Sequence, residues 1–184
     1  MTTKPNLLGL SGSLRADSTN TKLMHNAARL FGPAEFTRGD LRLPLYDGDV
    51  EDASGAPDAA TRLHRQIEQA DAIIISTPEY NKALSGVLKN ALDWVSRIKP
   101  NPWAGKPVAV VSAAGGRSGG ETAQFTLRHC LTPFAPMLIL APAVMLADSR
   151  NQFDDNGNLI NEITIKGLTN LMAALRIAAA NQVG

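Results

Sequence analysis

Apolar positions along the chain alternate between two spacings. Asn6 to Leu10 is a short apolar run that breaks into Ser11-Gly12-Ser13, the pattern of a buried strand ending in a loop. From Ser18 or Asn20 the period lengthens: Leu23, Met24, Ala27, Ala28, Leu30 and Phe31 recur at helical spacing, with a polar cap ahead and Gly32-Pro33 behind. Ala34 to Arg38 predicts a weaker strand, Leu43 to Gly55 a polar loop rich in acidic residues, and Pro57 to Ala70 a helix opened by proline. Ala72 to Thr77 (AIIIST) is the clearest strand, apolar on both faces as a strand covered from two sides must be, and Pro78 stops it. Leu84, Val87, Leu88, Ala91, Leu92 and Val95 then form a helical stripe up to about Arg97. Pro107 to Ala113 is a second two-sided strand, followed by the loop Ala114 to Gly120, a helix near Glu121 to Leu131 and a strand within Met137 to Val144. Asp148 to Asn161, with an Asn156-Gly157 turn, leads to a last helix from Glu162 to about Ala180.

Strands alternating with helices and buried on both faces predict an α/β three-layer sandwich, with five strands in a parallel sheet and five helices around it. With the order 2-1-3-4-5, ligands bind beyond the carboxyl ends of the strands, where the order reverses between the first and third. The loops after those two strands would then face one crevice. No repeat, low-complexity tract or linker interrupts the chain, so residues 1–184 read as one domain.

Composition narrows the function classes. Hydrophobic residues make up 44% and charged residues 19%, the balance of a folded globular chain. A formal net charge of +1 leaves no electrostatic footprint for a polyanion, so nucleic acid is not an expected partner. The lone Cys130 excludes an intrachain disulfide and a thiolate metal cluster, and it suits a reducing cytoplasm. Met1 to Leu10 lacks a secretory apolar segment, and the longest apolar stretch, Phe134 to Ala147, is too short to span a bilayer and carries Pro136 and Pro142. No membrane association is expected.

The loop after the first strand, Ser11 to Asn20, has the chemistry of a phosphate cradle. Ser13, Ser18 and Thr19 offer hydroxyls, Asn20 an amide and Arg15 a planar cation, and the helix that follows adds free N–H groups and its positive end. It is neither a P-loop nor a dinucleotide fingerprint, because it lacks Gly-Lys-Ser/Thr and Gly-x-Gly-x-x-Gly. A serine-capped helix with a surface arginine would have the same composition. Thr77-Pro78-Glu79-Tyr80-Asn81, after the third strand, suits stacking against and hydrogen bonding to a planar heterocycle. Ser112 to Gly120, after the fourth, is glycine-rich enough for its backbone to approach a ring edge.

Taken together, Gly12-Ser-Leu-Arg-x-x-Ser-x-Asn20, Pro78-Glu-Tyr-Asn81, Gly86-x-Leu-Lys-Asn-Ala-x-Asp-Trp94 and the Ser112 to Gly120 loop resemble the NADPH-dependent FMN reductase family, which has a flavodoxin-like fold. The resemblance implies that Ser13, Leu14, Arg15, Ser18, Thr19 and Asn20 hold the FMN phosphate. It places Pro78, Glu79, Tyr80 and Asn81 along the isoalloxazine, and Ser112, Gly115 and Gly116 at its pyrimidine edge. Lys82 and Arg117 are weaker candidates for the reductant, NADPH or NADH. Two departures stand beside the open face of the flavin: Ala83-Leu84-Ser85 where the family commonly has a proline before Gly86, and Lys82 where some relatives carry an aromatic residue. The implied activity is ping-pong transfer of electrons from NAD(P)H through FMN to a flavin, a quinone or another small oxidised acceptor, with no catalytic side chain required. An FMN electron carrier without NAD(P)H activity is the alternative, disfavoured because such carriers are strongly acidic.

Other candidates read as structural. His129 and Cys130 are helical neighbours that point apart. His25 and His64 read as surface histidines, Asp154 to Asn158 as a turn, Trp94 as core or interface and Trp103 as packing. No metal site is expected. The helix carrying Val87, Leu88, Ala91, Leu92, Trp94 and Val95 presents more apolar surface than its own sheet is expected to cover, which predicts a homodimer or homotetramer.

Overall fold

The computed structural model describes residues 4–182, so the ends of the expected 1–184 domain lie outside the described residues. The strands β1 (Asn6–Ser11), β2 (Glu35–Arg38), β3 (Ala72–Thr77), β4 (Pro107–Ala113) and β5 (Met137–Leu146) form one five-stranded sheet in the order β2-β1-β3-β4-β5. Every neighbouring pair is parallel. The α-helices are α1 (Thr19–Phe31), α2 (Gly48–Ser54), α3 (Asp58–Gln69), α4 (Gly86–Arg97), α5 (Glu121–Leu131) and α6 (Glu162–Ala180). This is the flavodoxin-like architecture, with its reversal of strand order between β1 and β3.

The two-sided strands divide the interior into two cores, because successive side chains point to opposite faces of a sheet. On one face Leu7, Ile74, Ala109 and Val111 pack against Leu23, Met24 and Ala27 of α1 and Leu168, Leu171, Met172 and Leu175 of α6. On the other, Leu8, Ile73, Ile75 and Val110 meet Leu63 and Ile67 of α3, Leu88, Leu92 and Val95 of α4, and Leu127 of α5. Each fully buried Leu or Ile contributes about 1.5–3 kcal/mol, so both layers are needed. The β4–β5 ladder shifts register between Ala109 and Val111. Pro142 lies in the β5 segment opposite, and it has no N–H to give to a ladder.

Four expectations need correction. The Leu43 to Gly55 segment is not all loop: it contains α2, so the described chain has six α-helices instead of five. None of its residues is buried, which is why no apolar stripe announced it. It is held by polar contacts instead, with Asp47 Oδ1 accepting from Asp49 N (2.9 Å), Glu51 accepting from Arg97 Nε (2.8 Å) and the Tyr46 hydroxyl donating to Glu51 (2.9 Å). His64 is buried rather than on the surface, its Nε2 lying 2.7 Å from the Pro100 carbonyl. Apart from Val87, which is half-buried, the α4 stripe is covered within the chain: Leu88, Ala91, Leu92, Trp94 and Val95 are all buried, and Trp94 Nε1 donates to Pro44 O at 2.8 Å. That stripe therefore gives no reason for self-association. Finally, by length and composition α6 is apolar enough to cross a bilayer, so Phe134 to Ala147 is not the chain's most membrane-like segment. In the fold its Leu168, Leu171, Met172, Leu175 and Ala179 are buried in the first core.

Candidate active site

The site forms where β1, β3 and β4 end. After β1 the chain passes Gly12, whose N–H donates to Ser76 O at 2.8 Å. A Cβ at Gly12 would stand 2.5 Å from Leu88 Cδ1, 2.8 Å from Ser85 Oγ and 2.9 Å from Pro78 Cδ, so only glycine lets the first loop lie against the second. Ser18 caps α1, its Oγ accepting from Thr21 N at 3.2 Å. The N–H groups of Thr19 and Asn20, at the very start of α1, have no acceptor within the helix and sit at its positive end.

Asn20 turns inward. Its Oδ1 accepts from Ser76 Oγ (2.9 Å) and from Ala113 N (3.0 Å), while its Nδ2 donates to Ala113 O (2.8 Å). The side chain read from sequence as an amide donor to phosphate thus ties the start of α1 to the ends of β3 and β4.

The second loop is a closed turn. Tyr80 N donates to Ala83 O (3.1 Å) and Ala83 N to Tyr80 O (3.0 Å), with Asn81 (φ 50°) and Lys82 (φ 66°) both left-handed between them. Positive φ at both central residues is the signature of a tight two-residue turn and favours asparagine at the first. Glu79 reaches back to accept from Ala123 N in the first turn of α5 (3.3 Å) and pairs with Lys82 (3.4 Å). Since α5 begins at Gly120 with no side-chain cap, Glu79 supplies the negative charge that its N-terminus favours.

The glycines of the third loop divide into two kinds. Gly119 (φ +61°) and Gly120 (φ +89°) are left-handed, and a Cβ on Gly119 would lie 2.7 Å from the Met145 carbonyl carbon. Nothing lies within 4 Å of a Cβ added to Gly115 or Gly116, so the fold itself does not demand glycine there. Ser112 Oγ donates to Gly119 O (2.7 Å) and accepts from Gln124 Nε2 (2.9 Å), which makes it a buried brace for the loop.

These loops enclose a cleft of about 490 Å³. Among the residues singled out from sequence, Ser13, Arg15, Ser18, Thr19, Asn20, Pro78, Glu79, Tyr80 and Gly115 line it. Leu14 lines a neighbouring apolar hollow of about 610 Å³ with Leu43, Leu45 and Val87, and Arg15 and Tyr80 border both spaces. Asn81, Lys82, Gly116 and Arg117 are exposed and Ser112 is buried, and none of these five lines the cleft. Seven lining residues were not singled out: Asp17, Lys22, Ala113, Ala114, Ser149, Arg150 and Phe153. The last three belong to the segment after β5, which crosses to α1 and is fixed there by a 3.1 Å contact between Thr19 Oγ1 and Ser149 Oγ. The signal for them was topological, since a loop that follows a parallel strand opens at the same end of the sheet as the others. A hydrogen bond from Lys22 holds the Asp17 carboxyl below the usual carboxylate range, with a smaller contribution from Arg15.

Cationic and hydroxyl groups therefore gather around the start of α1, while Pro78, Tyr80 and Gly115 offer flat, uncharged surface elsewhere in the cleft. Comparison with known proteins identifies the family. Residues 5–151 match the family model described as NADPH-dependent FMN reductase. An NAD(P)H-dependent FMN reductase of Pseudomonas aeruginosa is 39% identical over 173 residues, covering 93% of each chain. The quinone reductase of Escherichia coli K12 is 36% identical over 179 residues, covering 95% of each. Among solved structures, the flavoenzyme NAD(P)H:(acceptor) oxidoreductase FerB of Paracoccus denitrificans superposes with a TM-score of 0.86 at 32% identity, over 96% of this chain and 98% of its own. Motifs, topology and similarity along nearly the whole length converge, and the chain belongs to the NADPH-dependent FMN reductase family.

Proposed function

We propose that this protein is an FMN-dependent NAD(P)H oxidoreductase whose acceptors are small oxidised molecules, quinones in particular. The observation that carries the reading is one cleft with two chemistries: phosphate donors at the start of α1, and an uncharged surface of Pro78, Tyr80 and Gly115. The residues present fit FMN. Ser13, Arg15, Ser18, Thr19 and the first N–H groups of α1 would take the phosphate dianion without a metal. The space that a Cβ would fill at Gly115 is left open for a ring edge. FMN, when bound, accepts hydride from a nicotinamide and passes electrons to a second substrate.

The chain's own part is binding, orientation and shielding. Asn20 fixes the phosphate loop to β3 and β4, and the Tyr80–Ala83 turn presents the Tyr80 ring, which is about half exposed at 52%. The adjoining hollow, with Leu14, Leu43, Leu45 and Val87, suits a planar apolar acceptor, which is the class named for the Escherichia coli relative. The protein works in the cytoplasm, a reducing compartment that suits its single half-buried cysteine. It acts as a homodimer or homotetramer, a state supported by the exposed Leu14, Leu45 and Tyr80 around the mouth of the hollow. Anaerobic titration of the FMN-loaded protein with NADPH and NADH is the test: bleaching of the flavin within the turnover time, reversed by a quinone, is expected. Flavin that stays oxidised with both nucleotides would overturn the reading.

A further inference from the structure

Ser85 carries a buried hydroxyl that has no partner within the fold. Serine is favoured ahead of a helix because its oxygen accepts from the first free N–H groups. Ser85 is the N-cap of α4 and only 1% exposed, yet its side chain makes no capping bond, and its Oγ has no hydrogen-bond partner among the described residues. A dry, unpaired hydroxyl bears its whole desolvation cost, so the group calls for a partner from outside the fold.

Its surroundings point to the kind of partner. The Oγ faces Gly12, and both residues belong to the wall of the apolar hollow beside the cleft, with Leu14, Leu43, Leu45 and Val87. Nothing lies within 4 Å of a Cβ added to Gly86, so a ligand atom can approach the first turn of α4. The N–H groups of Gly86, Val87 and Leu88 have no acceptor within the helix, whose first bond runs from Lys89 N to Ser85 O at 3.1 Å. They make this end of a 12-residue helix positive. Arg15 borders the hollow as well, and among the described residues no carboxylate lines it.

We propose that Ser85 Oγ and the start of α4 hold a carbonyl oxygen of a quinone acceptor and stabilise the negative charge it gains on reduction. The proposal rests on the reading that quinones are reduced beside the cleft. Reduction transfers a hydride, two electrons with one proton, from the reduced flavin to the quinone and leaves one oxygen as an oxyanion. A proton from water then completes the hydroquinone. Donors fixed in advance where that charge develops lower the barrier to the step. The nicotinamide, by contrast, becomes positive as it gives up hydride and gains nothing from them.

The test compares wild type, Ser85→Ala and Ser85→Gly as FMN-loaded proteins. Glycine is nearly as good an N-cap as serine and alanine is a poor one, so the two variants differ in capping but both lack the hydroxyl. Reoxidation of the NADPH-reduced protein by 1,4-benzoquinone, followed by stopped flow, is expected to slow by about tenfold in both. Reduction by NADPH is expected to change by less than about threefold. Binding of 4-nitrophenolate to the oxidised protein, read by absorbance without nucleotide, is expected to weaken by about tenfold in both variants. Quinone reoxidation and phenolate affinity that match wild type in both variants would overturn the proposal. So would a loss in Ser85→Ala that is absent in Ser85→Gly, because it would assign the hydroxyl to capping. Wild type that NADPH reduces but benzoquinone does not reoxidise would instead overturn the acceptor reading, and the proposal with it.

Discussion

Replacing Asn20 by alanine separates two roles for this side chain. If it donates directly to the flavin phosphate, the loss appears in FMN affinity and not in the stability of the flavin-free protein. The structure assigns it three internal hydrogen bonds of 2.8 to 3.0 Å, to Ser76 Oγ and to both backbone groups of Ala113, all in buried surroundings. Asn20→Ala orphans those groups, each at about 1–3 kcal/mol, although the Ser76 hydroxyl can rotate towards another acceptor. A loss of about 3–5 kcal/mol follows, from a total stability of about 5–15 kcal/mol. For a chain of this size, that lowers Tm by about 6–20 °C. Ser76→Ala removes one partner and leaves Asn20 on Ala113, so it is expected to cost only about 1 kcal/mol. Urea and thermal unfolding of the flavin-free variants, followed by circular dichroism, supply the measurement. Should Asn20→Ala unfold within about 1 kcal/mol of wild type and yet lose FMN while keeping riboflavin, the clamp would be refuted and the phosphate-donor role restored.

Other substitutions probe the remaining parts of the site. Arg15→Ala is expected to weaken FMN by about tenfold, the low end for a charge-assisted bond because the side chain is exposed, and to leave riboflavin binding unchanged. An equal loss for both flavins would place the phosphate elsewhere. Gly119→Ala forces a Cβ against the Met145 backbone at a left-handed φ and is expected to cost about 2–4 kcal/mol in chemical unfolding. Gly115→Ala is expected to unfold like wild type but to weaken FMN and riboflavin alike. A hydrogen bond from the Asn158 side chain, then those from the backbone of Asn158 and Asn156, lower the Asp154 carboxyl below its usual value. Its contribution to the 154–158 turn is therefore present above the ordinary carboxylate range and fades as pH falls through the lowered value. The protection of the Asn158 amide against hydrogen exchange, taken relative to an unstructured chain at the same pH, is expected to fall on acidification in wild type and to show no such step in Asp154→Asn.

How much of this was legible before folding follows from what each residue does. Strands such as AIIIST and PVAVVSA are buried on both faces, so an unbroken apolar run has one economical interpretation, and the parallel sheet follows from it. The three loops were found because their residues carry chemistry uncommon in connections. The α2 helix was invisible because its cohesion comes from polar contacts of Glu51, with nearby Tyr46 and with Arg97 far along the chain, and not from an apolar stripe. Asn20 was singled out from sequence, but its bonds to Ser76 and Ala113 were not, because a side-chain amide serves backbone and ligand equally well and the periodicity does not place β3 and β4 beside it. His64 followed the same logic, its partner being the Pro100 carbonyl, which no periodicity reveals. The α4 stripe misled for the opposite reason: Trp94 is capped by Pro44 and edged by the Tyr46 ring at 5.0 Å, in a segment that composition read as solvated loop.

The two cores on opposite faces of the sheet also act as the two jaws of a calliper. The Ser11 to Asn20 loop is rooted through α1 in one layer, while the loop that presents Tyr80 is rooted through α4 in the other. The span between them is then a readout of sheet thickness and twist, not of any one side chain. Close-packed layers transmit changes of a single methylene, so repacking Met24 or Ala27 shifts one jaw and repacking Leu88 or Leu92 the other. Paired substitutions across the sheet are therefore a means of retuning the grip on a flavin, or of admitting a thicker analogue, while every residue in the cleft keeps its identity.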